Sequence, residues 1–150
     1  MMRRICKSKI HGAFVTESNL NYVGSLTIDR ALMDAADILP YEWLHVVNVT
    51  TGSRFETYAI EAEAGSGTIA LNGAAARLGY VGDKLIIMCV ASLSDEELKK
   101  GFTPRIVFTD AQNRIVTPTI GDRSWDLDAT LDTEAEMNEE TNRQTVDDRR

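Results

Sequence analysis

Apolar runs in this chain are short and rich in β-branched residues, and each is cut off by turn formers before it reaches helical length. The clearest are residues 43–49 (Trp-Leu-His-Val-Val-Asn-Val) and 84–91 (Lys-Leu-Ile-Ile-Met-Cys-Val-Ala), which read as buried strands. Residues 3–10 and 13–17 read as two more strands with a turn at His11-Gly12. Residues 54–61 return from 43–49 after the turn Thr50-Thr51-Gly52-Ser53, residues 68–71 form a short strand, and 105–109 with 114–117 form a hairpin. Residues 18–24 are rich in turn formers and read as a loop or strand end. Only small helices fit between these runs. Asp29 caps one, with Leu32, Met33, Ala35 and Ala36 at helical spacing, and Pro40 ends that unit. Asn72 caps a second over 73–78, which Gly79 stops. Ser94-Asp95-Glu96-Glu97 opens a third as a capping box. Many short strands with small helices between them predict a mainly β domain closed, or nearly closed, into a barrel.

The 150 residues suffice for one domain with a real core. The formal charge of −7 is unevenly spread. Residues 121–150 hold ten acids and four bases, whereas residues 1–120 hold thirteen and twelve. Residues 1–120 are therefore taken as the domain and 121–150 as an acidic, disordered tail. A nearly neutral domain offers no basic footprint for nucleic acid and would not repel a dianionic substrate. No run approaches the ~18 apolar residues of a bilayer span. The basic start, Met1-Met2-Arg3-Arg4-Ile5-Cys6-Lys7, is broken by polar residues before a signal core could form. A cytoplasmic protein without membrane contact is expected. Cys6 and Cys89 lie in strand-like runs and read as reduced core cysteines.

Several motif strings carry little. Gly65-Ser66-Gly67-Thr68-Ile69-Ala70 matches a dinucleotide fingerprint, but that motif needs a helix after the glycines, and a strand is expected here. Asn48-Val49-Thr50 is a glycosylation string inside an expected strand. His11 and His45 have no partners at metal-ligand spacing, so no metal is expected. Ser25 lacks the nucleophile-elbow context of a hydrolase.

Read together, several blocks carry more. Lys9-Ile10-His11, Leu20-Asn21-Tyr22-Val23-Gly24-Ser25-Leu26-Thr27-Ile28-Asp29, the run from Asn48 through Arg54 to Ile60, Asn72-Gly73-Ala74-Ala75-Ala76 and Val81-Gly82-Asp83 resemble, in order and spacing, the blocks of bacterial pyruvoyl-dependent aspartate 1-decarboxylases. The resemblance covers about residues 1–118. It implies a double-psi β-barrel, a homotetramer with active sites between subunits, and decarboxylation of L-aspartate to β-alanine for pantothenate and coenzyme A synthesis. It also implies self-cleavage between Gly24 and Ser25. In that family the serine hydroxyl attacks the preceding carbonyl, and the resulting ester eliminates to a dehydroalanine that hydrolyses to a pyruvoyl group. Substrate then forms a Schiff base with that group, and neither metal nor external cofactor is needed.

Residue roles follow from the same resemblance. Ser25 is the nucleophile of processing and the source of the cofactor; Gly24, without a Cβ, leaves the carbonyl accessible. Thr57 assists self-cleavage and borders the substrate. Tyr58 is the proton donor, and by alternation shares a strand face with Arg54 and Glu56. Arg54 pairs with a substrate carboxylate through its planar fork, with Lys9 as a second cation. Asn72, Gly73, Ala74 and Ala75 form the substrate-binding loop. Tyr22 is a weaker candidate beside the cleavage site. Read alone, these would be a turn arginine, a core tyrosine, a solvated strand lysine and an ordinary N-cap. Val23 stands where many relatives carry an acid, which bears on processing speed. The residues leave open whether cleavage is spontaneous or needs a helper protein. They also leave open a non-catalytic barrel that never processes, and a decarboxylase of a related acidic amino acid, since one methylene is worth only about 1–3 kcal/mol of selectivity.

Overall fold

A computed structural model of the chain describes residues 1–117. The boundary expected at residue 120 and the acidic tail 121–150 lie outside the described residues. In chain order the elements are β1 (Met2–Phe14), β2 (Glu17–Asn19), β3 (Ser25–Asp29), α1 (Arg30–Ala35), β4 (Trp43–Asn48) and β5 (Arg54–Ala62). There follow β6 (Ile69–Asn72), a 3-10 turn (Gly73–Arg77), β7 (Lys84–Ser94), α2 (Asp95–Lys99), β8 (Arg105–Thr109) and β9 (Ile115–Val116).

The strands pair in the order β2-β6-β3-β5-β4-β7-β1-β8-β9. β2 follows β1 after only two residues, and those two join the ends of the row. Val15 N–H donates to the Asp83 carbonyl at 2.9 Å and Thr16 N–H to the Ile69 carbonyl at 2.8 Å. The row therefore closes into a barrel, with β1 and β2 acting as one bent strand. β8 and β9 extend outward from β1. Two parallel seams, β2 with β6 and β3 with β5, interrupt an otherwise antiparallel ring. The mainly β architecture with short helices agrees with the sequence reading, and the paired seams fit a double-psi β-barrel.

Closure leaves one interior to fill. Ile10, Leu26, Ile28, Leu44, Ile69, Leu71, Leu85 and Ile87 are fully buried, each stabilising the fold by roughly 1.5–3 kcal/mol. Two details differ from expectation. The turn at His11-Gly12 is a β-bulge: β1 runs on, with its register to β7 slipping between His11 and Ala13. Pairing to β7 on one side and β8 on the other holds the strand together there. Cys6 is exposed rather than in the core, because the first residues of β1 project past the packed interior. Cys89 is buried as expected, and burial, reinforced by Glu42, pushes its thiol up to about 12.

Asp29 is the main polar tie. It lies at the end of β3, 3% exposed, and its carboxylate accepts from Ala31 N–H at the start of α1. It also accepts from Gly65 N–H at 2.9 Å and Gly67 N–H at 2.7 Å. The glycine-rich string thus holds an internal carboxylate; it is a loop but not a hairpin, because β5 and β6, which it joins, pair on opposite sides of β3 and not with each other. Replacing Asp29 with alanine removes the cap and leaves three part-buried N–H groups without their acceptor. A loss of about 3 kcal/mol is expected, read as a lowered unfolding midpoint, with Asp29→Asn intermediate.

Candidate active site

The site is built around a backbone conformation. After β2 the chain turns through residues 20–24 and enters β3 at Ser25. Gly24 has φ +35° and Ser25 has φ +101°. For a residue with a Cβ this is a strained geometry, worth of order 1–3 kcal/mol, that persists only where the surroundings hold it. The surroundings are evident. Ser25 is 3% exposed and pairs antiparallel with Asn72. Gly73, itself at φ +61°, lies directly beneath the turn: a Cβ there would sit 3.0 Å from both Gly24 N and Gly24 Cα and 3.1 Å from the Tyr22 carbonyl. Only a residue without a side chain allows the two backbones to approach so closely.

Gly24 and Ser25 open into a cleft of about 290 Å³, which Thr57, Tyr58, Asn72, Ala74 and Ala75 also line. The Tyr58 hydroxyl lies 3.6 Å from where a Cβ on Gly24 would be, so the phenol faces the Gly24-Ser25 peptide. Thr57 is 8% exposed. Phe55, Glu56, Thr57 and Tyr58 all border the cleft, while alternation along β5 holds: Thr57 and Ala59 are buried, and Glu56 and Tyr58 share the other, less buried face. The Asn72 side-chain amide donates to Thr27 Oγ1 at 2.8 Å, with Ser25 Oγ at 3.5 Å. Asn72 is therefore not the expected helix cap: it makes no side-chain capping bond, and the element after it is a five-residue 3-10 turn. The side chain is directed back over β3 by the β3–β6 register.

The two expected carboxylate-binding cations stand apart from this cleft. Arg54 lines a separate hollow of about 550 Å³ with Arg4, His45, Glu56 and Met88. Lys9 is 6% exposed on β1, between Met88 and Ile106, and is not the solvated strand lysine of the bland reading. Burial lowers its pKa. Tyr22 is exposed at the mouth of the turn.

A chain of side chains links the two hollows. Trp43 Nε1 donates to Glu56 Oε2 at 3.0 Å. His45 Nδ1 lies 2.9 Å from Glu56 Oε1, and Arg4 Nη2 lies 3.1 Å from His45 Nε2. Neutral His45 with its proton on Nδ1 satisfies both contacts. Sequence reasoning passed over Trp43 and Glu56. The hairpin turn at residues 50–53 contained the signal, since it sets Trp43 opposite Tyr58 and His45 opposite Glu56. The discounted strings are structural. Asn48 is fully buried and bonds to Asp83, the Leu78 carbonyl and the amides of Thr50 and Thr51. His11 packs on Phe108 with ring centroids 5.5 Å apart. Among the described residues no cluster of His, Cys, Asp and Glu suits a metal ion, and no helix is long and apolar enough to cross a membrane.

Comparison with known proteins bears on the same residues. The family model for aspartate decarboxylase matches residues 1–116. An aspartate 1-decarboxylase of Thermoanaerobacter pseudethanolicus is 56% identical over 116 residues, covering 77% of this chain and 98% of that protein. One from Caldicellulosiruptor saccharolyticus is 60% identical over 116 residues, covering 77% and 90%. A third, from Leptospira biflexa, is 54% identical over 114 residues, covering 76% and 97%. Among solved structures, the rationally designed protein mkDPBB_sym_86 aligns over 54% of this chain and 95% of its own, with 14% identity and a TM-score of 0.39. With a strained Gly24-Ser25 turn in a cleft beside Tyr58, and with a family match across the whole described barrel, this chain belongs to the aspartate decarboxylase family.

Proposed function

We propose that this chain decarboxylates L-aspartate to β-alanine, using a pyruvoyl group that it makes from its own Ser25. The observation that carries this reading is the pair of positive φ angles at Gly24 and Ser25 inside the cleft shared with Thr57, Tyr58 and Asn72. The names of the relatives support the substrate. The product would feed pantothenate and coenzyme A synthesis in the cytoplasm.

Self-processing uses the chain's own atoms. Ser25 Oγ attacks the Gly24 carbonyl carbon, its proton passes to Ser25 N, and the C–N bond breaks to leave an ester. Loss of the Ser25 α-proton then breaks the Cβ–O bond, releasing the Gly24 carboxylate and a dehydroalanine. Water adds and ammonia leaves. The residues fit this sequence: the strain at Ser25 would be relieved once the peptide is cut, and the Asn72 amide, 3.5 Å from Ser25 Oγ, would help to orient the hydroxyl. Once formed, the group supplies an electron sink for loss of CO2 from the α-carbon.

The remaining residues bind and move protons. The Tyr58 phenol faces Gly24 and would protonate the α-carbon after CO2 leaves. Asn72 and the turn Gly73–Arg77, with Ala74 and Ala75 on the cleft wall, bound the substrate. Arg54 and Lys9 do not line the cleft of their own chain, and a homotetramer with shared sites would let a neighbouring copy bring a cation to the substrate. A desolvated Lys9 ammonium would pair strongly with a carboxylate.

Assay of the purified protein with L-aspartate and no added cofactor tests the reading. Release of β-alanine and CO2, abolished by phenylhydrazine, is expected; no product, or activity only with added pyridoxal phosphate, would defeat it. Tyr58→Phe should still self-cleave, yet lose about 100-fold or more in kcat. Gly73→Ala places a Cβ against Gly24 and should leave most of the chain uncut on a denaturing gel where wild type is processed; equal processing would remove Gly73 from the account.

A further inference from the structure

Tyr41 sits in the loop between α1 and β4 with φ +66°, in the left-handed region where glycine and asparagine are at ease and a bulky side chain is not. Its ring gains nothing from burial, being 76% exposed. The loop is nonetheless tightly held. Tyr41 N–H donates to the Ala59 carbonyl at 2.8 Å, and Ala59 N–H donates to the Glu42 carbonyl at 3.0 Å. The Glu42 carboxylate accepts from Lys7 at 2.6 Å and from Leu39 N–H at 2.9 Å. These bonds stitch the loop to β5 at the residue next to Tyr58. They bring the Tyr41 ring to 6.4 Å from the Tyr58 ring, tilted by 35°, within the range of favourable aromatic pairs. On the neighbouring strand Trp43 stands opposite Tyr58 and borders the same cleft.

A strained backbone carrying an exposed ring is a poor arrangement for stability alone. We propose that Tyr41 is a positioning residue: its ring packs against Tyr58 and holds the phenol in the rotamer that faces Gly24 and the cleft. The proposal rests on the reading of Tyr58 as proton donor in aspartate decarboxylation. It assigns the strain at Tyr41 to function, since the conformation costs stability while the ring narrows the freedom of the group that must meet the α-carbon.

The test compares full-length wild type, Tyr41→Asn and Tyr41→Phe, each confirmed by mass to be processed. Asparagine accepts the left-handed conformation and removes the ring. Tyr41→Asn should lower kcat for β-alanine formation by about fivefold or more, because small misplacements of a reacting group are costly. KM should stay within about twofold and the unfolding midpoint should be no lower than that of wild type. Tyr41→Phe should recover most of kcat. An unchanged kcat in Tyr41→Asn would overturn the proposal, as would a fall in kcat matched by a lower midpoint or a changed oligomeric mass. If wild type forms no β-alanine from L-aspartate, the functional reading fails and takes the Tyr41 proposal with it. If wild type is active and Tyr41→Asn equals it, only the Tyr41 proposal fails.

Discussion

The antiparallel pairing of Ser25 with Asn72 is the contact on which the site depends. It pins the first residue of β3 against the last residue of β6, and so fixes where the preceding peptide must lie. Gly73 follows immediately and leaves just enough room for Gly24 to pass over it. Between them these contacts hold Gly24 and Ser25 at positive φ, a conformation the isolated segment would not keep. The barrel serves that end. β3 is clamped on its other side by a parallel seam with β5, which also presents Thr57 and Tyr58 to the same cleft. Asp29 anchors the far end of β3 through three backbone amides. The strain at one end of a five-residue strand is thus opposed by polar bonds at the other and by a filled interior throughout.

Charge is arranged with the same economy of place. Within one chain the cleft carries a phenol, an amide and hydroxyls, while Arg54 and Lys9 lie elsewhere. Glu56 borders the cleft, but its two oxygens are occupied by Trp43 and His45. In a barrel organised in this way the proposed cleavage chemistry would be internal to one chain, and the proposed substrate anchoring would fall to groups outside that cleft. This is the physical sense in which the proposed assembly completes the site.

Much of this was legible in the sequence, and the exceptions share a cause. Strands at residues 43–49 and 84–91, the Asp29 cap and the Ser94 capping box were legible because each is decided by neighbours in the chain. Asn72 was misread as a cap because its use depends on β3 lying alongside, a contact between residues 47 positions apart. Gly12 read as a turn because nothing local shows that strands on both sides of β1 carry it through a bulge. Cys6 read as a core residue because apolar patterning does not show where a strand outruns its barrel. The site blocks were recognisable from family resemblance, and four residues that it named, Ser25, Thr57, Tyr58 and Asn72, line one cleft. Strain at Ser25 and Tyr41 is a property of dihedral angles and has no sequence signature beyond the glycine before Ser25.

The central claim is that the strained Gly24-Ser25 peptide converts itself into the prosthetic group. Intact mass of the purified protein, with Ser25→Ala beside it, tests this most directly. The account predicts two wild-type fragments that meet between Gly24 and Ser25, the larger lighter by one ammonia than simple hydrolysis would leave it, and a single uncut Ser25→Ala chain. A wild-type chain that stays whole after prolonged warm incubation, or fragments with the mass of simple hydrolysis, would contradict it.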